Sequence, residues 1–536
     1  MTIDRRGFLG YAALGSALAM AKPLRAVAQS ATTANPEIEE ITIGELQDAM
    51  TSGRWTSRAI AERYLGRIDA IDKHGPMLNA IIELNAEALA IADAMDRERK
   101  AGHIRGPLHG IPVVIKDNID TADRMATSAG SLALAENHAA RDAFIVSRLR
   151  EAGAVILGKT NLSEWANFRS THSTSGWSGR GGLTKNPYVL DRNACGSSSG
   201  TGSAIAANLA AVGIGTETDG SVVCPSSASG LVGIKPTLGL ISRAGIIPIA
   251  HSQDTSGPMA RTIRDAAILL GVLTGADERD PVTVSSRTKG HADYTRFLDV
   301  DGLKGARIGV ARQYFGFNDA TDKLMKDAIA LIKSLGATIV DPANIATNGK
   351  FDATENDVLQ YEFKTGINKY LANAPASVKS RTLADLIKFN EEHRAEEMPF
   401  FGQEIFEQSE KRGPLSEKKY LAALAKNHRL SRAEGIDATM KKHELDAIIA
   451  PTGGPVWATD LVNGDHFTGG YSSASAVAGY PHITVPAGMV FGLPVGLSFF
   501  AGAWSEPALI KFAYAFEQAS KARQKPKYLA TAGLSS

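Results

Sequence analysis

Only two cysteines, Cys195 and Cys224, occur in the 536 residues, too few for an all-cysteine zinc site, which needs four thiolates. No His-Glu-x-x-His motif occurs either, and the twelve histidines are scattered, so neither a metal site nor a cofactor is expected. An excess of charge of one sign is also missing. The 58 Lys and Arg against 57 Asp and Glu leave a formal net charge of +1, which gives no reason to expect nucleic acid or an anionic membrane as a partner. There is no internal repeat and no low-complexity segment. The one apolar run near the N-terminus is too short to anchor the chain permanently in a bilayer. With 44% hydrophobic and 21% charged residues, the chain reads as a soluble globular protein able to bury a sizeable core.

What the sequence does have is one stretch, Asn193 to Thr237, dense in Gly, Ser and Ala. Small residues let backbone approach backbone and bring hydroxyls and amide N–H groups into one small space, as a hydrolytic site requires. Ser197 follows Gly196, and Ser221 follows Asp219-Gly220. Between them Ala204 to Ala211 predicts a small-residue helix and Val212 to Gly215 an apolar strand, which together would fold the two serines back towards each other. A serine hydroxyl needs a base, and no histidine lies in this stretch. Upstream, the β-branched run from Gly110 to Asn118 predicts a buried strand with Lys116 near its end. A lysine desolvated on such a strand loses its proton more readily and becomes a usable base.

These residues carry a resemblance. Lys116 in K-D-N, Ser197 in G-S-S-S-G, Ser221 in G-T-E-T-D-G-S and the G-I-K-P-T that follows resemble the amidase signature family. So do Gly153 to Asn161, Asp254 to Met259 and Pro486 to Leu497, so the resemblance spans most of the chain. It implies an α/β fold in one large domain, a mixed twisted β-sheet covered by helices on both sides, and an enzyme that hydrolyses amides without a cofactor. It also implies Ser221 as nucleophile, Ser197 as a bridging serine in a cis peptide, Lys116 as base, and the backbone N–H groups of Thr218, Asp219, Gly220 and Ser221 as the oxyanion hole. The sequence departs from the family pattern at Asp219, where a glycine is usual, and at Val223, where an arginine is usual. The D-G-S-V-V-C-P variant is similar to that of the peptide amidase branch, which removes C-terminal amides from peptides. The alternatives are a broad aliphatic or aryl amidase, the glutaminase subunit of a tRNA-dependent amidotransferase, and a binding protein that keeps an inactive amidase fold.

Two other motif matches are set aside. Gly153 to Thr160 fits G-x-x-x-x-G-K-T, but Ala154 to Leu157 reads as a buried strand rather than a phosphate loop. Gly196 to Gly200 fits G-x-S-x-G with Ser198 as nucleophile, yet no apolar strand precedes it. Ser198, Ser199 and Ser203 are therefore expected to be supporting hydroxyls or helix-start residues. Cys195 and Cys224 flank the two serines; a bond between them is open, with buried free thiols the favoured expectation.

Along the rest of the chain, helices are expected from a Thr42 cap through Met50, from a Ser57 cap through Ile71, and over Asn85 to Lys100. Strands at Leu303 to Arg312 and Thr338 to Val340 flank a helix at Asp322 to Leu335. A polar, largely helical region follows around 351–444, whose aromatics (Tyr361, Phe363, Phe406 and others) are mostly core. Strands at Leu445 to Ala450 and Tyr480 to Pro486 and a helix at Glu506 to Ala519 complete the pattern. Arg5-Arg6, the apolar run to Met20 and Ala26-Val27-Ala28 read as a twin-arginine signal over 1–28 ahead of an amidase domain over 29–536, implying transient contact with the twin-arginine machinery and a periplasmic or secreted location. N-terminal sequencing of protein from the cell envelope should therefore begin near Gln29. An intact Met1 on that material would overturn the signal.

Overall fold

The computed structural model describes residues 34–533, so the expected signal over 1–28 lies outside the described residues. Thirteen strands are present among them, of which eleven form one sheet. In chain order they are β1 (Ile81–Leu84), β2 (Pro112–Lys116), β3 (Val155–Thr160), β4 (Trp177–Ser178), β5 (Gly182–Leu183), β6 (Val212–Glu217), β7 (Val232–Lys235), β8 (Thr255–Ala260), β9 (Arg307–Val310), β10 (Thr338–Val340), β11 (Ala447–Pro451), β12 (His482–Val490) and β13 (Leu493–Phe500). The sheet order is β1-β3-β2-β6-β8-β7-β12-β13-β11-β9-β10, with β4 and β5 forming a small separate pair. β2 runs parallel to β3 and β6, β9 runs parallel to β10 and β11, and the remaining pairs are antiparallel. The protein is thus one large α/β domain with a mixed sheet flanked by helices.

β2, β3 and β6 are buried along their whole length, which suits the Val, Ile and Leu they carry. β3 occupies the G-x-x-x-x-G-K-T match. Lys159 within it is fully buried and donates to Ile119 O at 2.6 Å and Thr127 Oγ1 at 2.9 Å, so it holds a loop rather than a phosphate. Helix α1 (Ile43–Thr51) starts with the expected cap as a full capping box between Thr42 and Glu45. Helix α2 (Ser57–Arg67) is capped by Thr56 instead of Ser57, because the Ser57 hydroxyl donates to Gly110 O at 2.9 Å. Helix α3 (Ala88–Lys100) begins three residues later than expected, since the Asn85 side chain reaches Ile156 O at 2.9 Å.

Around 351–444 the chain is largely helical, led by α4 (Asp352–Ala372). Phe363 and Phe406 are buried and pack with Phe168 and Trp165 in edge or tilted geometry, whereas Phe400 is exposed. Arg169 ties this region to the segment that follows β3: its Nη1 lies 2.7 Å from Glu164 Oε1 and 3.7 Å from Glu397 Oε2, all three side chains being fully buried. Among the described residues no helix is long and apolar enough to cross a membrane.

Candidate active site

The buried strand β2 ends at Lys116, and the parallel neighbour β6 ends beside it at Thr216-Glu217. The Lys116 ammonium has no solvent exposure and lies 2.7 Å from Ser197 Oγ, 2.9 Å from Thr216 Oγ1 and 3.3 Å from Thr216 O. Asn118 Nδ2 donates to the same Thr216 hydroxyl at 3.0 Å. Burial pulls the lysine pKa down to about 7, and the negative charges of Glu217 and Asp254 oppose a further fall. At neutral pH this side chain therefore exchanges between proton donor and acceptor.

Ser197 sits in a turn whose Gly196–Ser197 peptide is cis. Gly196 is required there, because a Cβ would strike Ser163 Oγ. Helix α5 (Ser199–Ala206) then runs back beneath the sheet, starting earlier than the expected Ala204. Every residue in it is buried, so its Ser, Gly and Thr content reflects close packing. Gly215 on β6 makes the same point, since a Cβ would come within 2.6 Å of Ser198 Oγ. Ser198 Oγ donates to Thr216 O and accepts from Thr216 N, both at 3.2 Å, Ser199 donates to Cys195 O at 2.5 Å, and Ser203 donates to Lys185 O at 2.8 Å. All three hydroxyls hold backbone, and no strand precedes Ser198 as the elbow motif demands.

Ser221 follows β6 on a tight turn, and its backbone oxygen accepts from Ser198 N at 3.2 Å, which closes the two serine loops on each other. Ser197 is fully buried while Ser221 keeps 8% of its surface, so only Ser221 is open to an incoming molecule. The turn between Thr218 and Ser221 is tied by its acceptors. Gln253 Nε2 reaches Thr218 O at 3.2 Å, Cys224 N reaches Gly220 O at 2.8 Å, and Ser473 Oγ reaches Asp219 Oδ2 at 2.6 Å. Among the described residues no hydrogen bond uses the N–H of Thr218, Asp219, Gly220 or Ser221, so four consecutive donors remain available. Thr218 Oγ1 donates to Asp254 at 2.6 Å, and burial pushes that carboxyl up to about 6. A cavity of about 170 Å³ opens beside this face, lined by Asn118, Thr216, Thr218, Ile247, Ile249 and Asp254.

Three features do not emerge from the sequence reading. Thr216 stands there only within the Ser221 motif, one residue past the expected strand, though a threonine directly after the small and apolar Val212 to Gly215 run is an available signal. Asn118 and Asp254 lie inside family motifs without an assigned contact. Cys195 and Cys224, expected as free thiols, are joined in a disulfide with Cα atoms 6.1 Å apart. The folding back of the serine loops brings the two cysteines together, which their separation in sequence does not reveal. Among the described residues no three His, Cys, Asp or Glu side chains gather as metal ligands would.

A mixed α/β sheet that delivers a dry lysine, a buried serine and an accessible serine to one corner defines a hydrolase-like enzyme. The family model for Amidase matches residues 59–510, and the chain belongs to the amidase signature family. It is 49% identical in sequence to the native peptide amidase of Stenotrophomonas maltophilia, whose crystal structure superposes with a TM-score of 0.87 over 91% of this chain and 98% of that one. Over 504 residues it is 43% identical to the probable amidase of Arabidopsis thaliana, with 92% of each chain covered. Similarity is lower, 34% over 501 residues, to a subunit of the glutamyl-tRNA(Gln) amidotransferase of Halorhodospira halophila, covering 89% and 96% of the two chains. The protein is an amidase.

The disulfide locks the loop before Ser197 to the helix after Ser221. Replacing both cysteines by serine should lower stability by about 3–4 kcal/mol, the loop-closure value for a sequence separation of 29. Thermal or denaturant unfolding measures this, and a loss under about 1 kcal/mol would contradict the role of the bond as a tie.

Proposed function

We propose that the protein is a serine amidase that hydrolyses the terminal carboxamide of peptides or amino acid amides to a carboxylic acid and ammonia. The observation that carries this reading is the 2.7 Å contact between Lys116 Nζ and Ser197 Oγ in a fully buried setting. With the lysine neutral, its amine takes the Ser197 proton as Ser197 takes that of Ser221, and Ser221 Oγ adds to the amide carbon. The N–H groups of Thr218, Asp219, Gly220 and Ser221 receive the oxyanion. Lys116 returns the proton through Ser197 to the leaving nitrogen, ammonia departs, and water, activated by the same pair, hydrolyses the ester on Ser221. Removal of one such oxyanion donor typically costs about 3 kcal/mol of barrier.

The preference for an unsubstituted amide has two supports. The likeness to the Stenotrophomonas maltophilia peptide amidase is one. The other is charge. Val223 is buried and apolar where the family pattern has a cation, Glu217, Asp219 and Asp254 surround the turn, and Arg243 and Arg279 on the cavity wall are already paired with Asp280 and Asp277, so a free carboxylate near the scissile bond would have to compete for a cation. Ammonia as leaving group brings no such charge. Val223 in place of the family's arginine and the lower identity to the amidotransferase protein argue against a glutaminase role, and the twin-arginine motif supports export to the periplasm or medium.

The test compares kcat/KM for a dipeptide amide, the tripeptide that replaces that amide by one more residue, and an aryl amide, with Ser221→Ala, Ser197→Ala and Lys116→Ala alongside. The dipeptide amide should lead, Ser221→Ala should be dead, Lys116→Ala nearly so, and Ser197→Ala should keep more activity. Comparable cleavage of the tripeptide would refute leaving-side exclusion, a lead for the aryl amide would favour a broad amidase, and an active Ser221→Ala would refute the nucleophile.

A further inference from the structure

Glu217 is the last residue of β6, and its side chain is 1% exposed. It turns forward past the four free N–H donors and accepts, through Oε2, from Val222 N at 2.8 Å and Val223 N at 3.1 Å. The segment Thr218 to Ser221 is thereby closed into a ring: β6 pairs Glu217 with Thr255 at one end, and the Glu217 carboxylate grips the chain directly after Ser221 at the other. The other carboxylate oxygen, Oε1, is buried and has no hydrogen-bond partner among the described residues. The leading opposing charge is Lys235, itself fully buried and bonded to Tyr480 O at 2.7 Å, while Asp219 lies on the like-charged side. A buried carboxyl with one idle oxygen is expensive for stability alone, where an apolar side chain of the same size would fill the space. The position of its two accepted hydrogen bonds points to the turn it closes.

We infer that Glu217 is the positioning residue of the oxyanion turn: by accepting from Val222 N and Val223 N it fixes the direction of the N–H groups of Thr218 to Ser221 and the placement of Ser221 Oγ. It does not touch the reacting atoms. This inference rests on the reading of Ser221 as nucleophile, and the acceptor atom is what matters, so a side chain of the same length that keeps a carbonyl oxygen should serve. An oxyanion bond forms fully only in the transition state, so a misdirected turn lowers kcat and leaves KM nearly unchanged.

The experiment measures kcat, KM and Tm for Glu217→Gln and Glu217→Met on a dipeptide amide, each at a fixed interval below its own Tm and at a pH above the Lys116 titration, where loss of the Glu217 charge no longer alters the protonation of the lysine. Glu217→Gln should stay within about fivefold of the parent in kcat, and Glu217→Met, similar in size but unable to accept, should fall about 100-fold, the effect of losing one oxyanion donor, with KM within about twofold. A kcat for Glu217→Met within about threefold of the parent would overturn the inference, as would a loss above about 30-fold in Glu217→Gln, whatever the fate of the Met variant. Ser221→Ala run in parallel separates the two readings: an active Ser221→Ala defeats the nucleophile assignment, whereas a dead Ser221→Ala with an unimpaired Glu217→Met defeats only the role of Glu217.

Discussion

A cation held where water cannot reach it governs this structure. Lys116 ends a fully buried strand, and its ammonium is met only by the Ser197 hydroxyl and by Thr216 among the described residues. Three hydrogen bonds do not replace hydration, so the proton becomes easy to lose, and the lysine pKa stands at about 7. Everything around it serves that condition. The glycines and serines of the Asn193 to Thr237 stretch let α5 and β6 pack closely around the lysine, and Glu217 and Asp254 keep it from losing its proton altogether.

The second constraint is the turn that carries Ser221. Its acceptor groups are tied back while its N–H groups stay free among the described residues, so in the proposed mechanism the donors need no reorganisation when negative charge arrives. The Cys195–Cys224 bond and the Ser198 N to Ser221 O hydrogen bond join this turn to the Ser197 loop, which makes one rigid unit from two segments of chain. On the proposed function, the carboxylates around the turn, with Val223 in place of a cation, disfavour a leaving group that bears a carboxylate.

Much of this was legible in the residues. β-Branched runs marked β2 and β3 as buried strands, and that alone removed the phosphate-loop reading of Gly153 to Thr160. The Thr42 cap, the helical character around 351–444 and the closing helix, observed at Glu506–Ser520, followed from local pattern. Contacts made across the sheet were not legible. Asn85 and Ser57 look like helix-start residues but spend their polar groups on Ile156 O and Gly110 O, so α3 starts later and α2 takes Thr56 as its cap. The small-residue helix was placed late because Ser199 to Ser203 has low intrinsic helix preference and is helical through burial. The disulfide escaped because only the folded turn brings Cys195 to Cys224.

The dry lysine also has a stability consequence with a definite sign. Its folded pKa lies below its unfolded value, so between about pH 7 and about 10 the unfolded chain binds the extra proton. This group therefore costs stability at neutral pH and below, and the cost is relieved as pH rises through that window. The most direct test of the central claim is the pH dependence of Ser221 acylation by a dipeptide amide, followed in a single turnover so that chemistry is observed, for the parent and for Asp254→Asn. The parent rate should climb with pH through a midpoint near 7 and then level. Removing the Asp254 charge should move that midpoint to lower pH, because a negative neighbour favours the charged lysine. A parent rate independent of pH, or a limb that Asp254→Asn abolishes instead of shifting, would contradict Lys116 as the base.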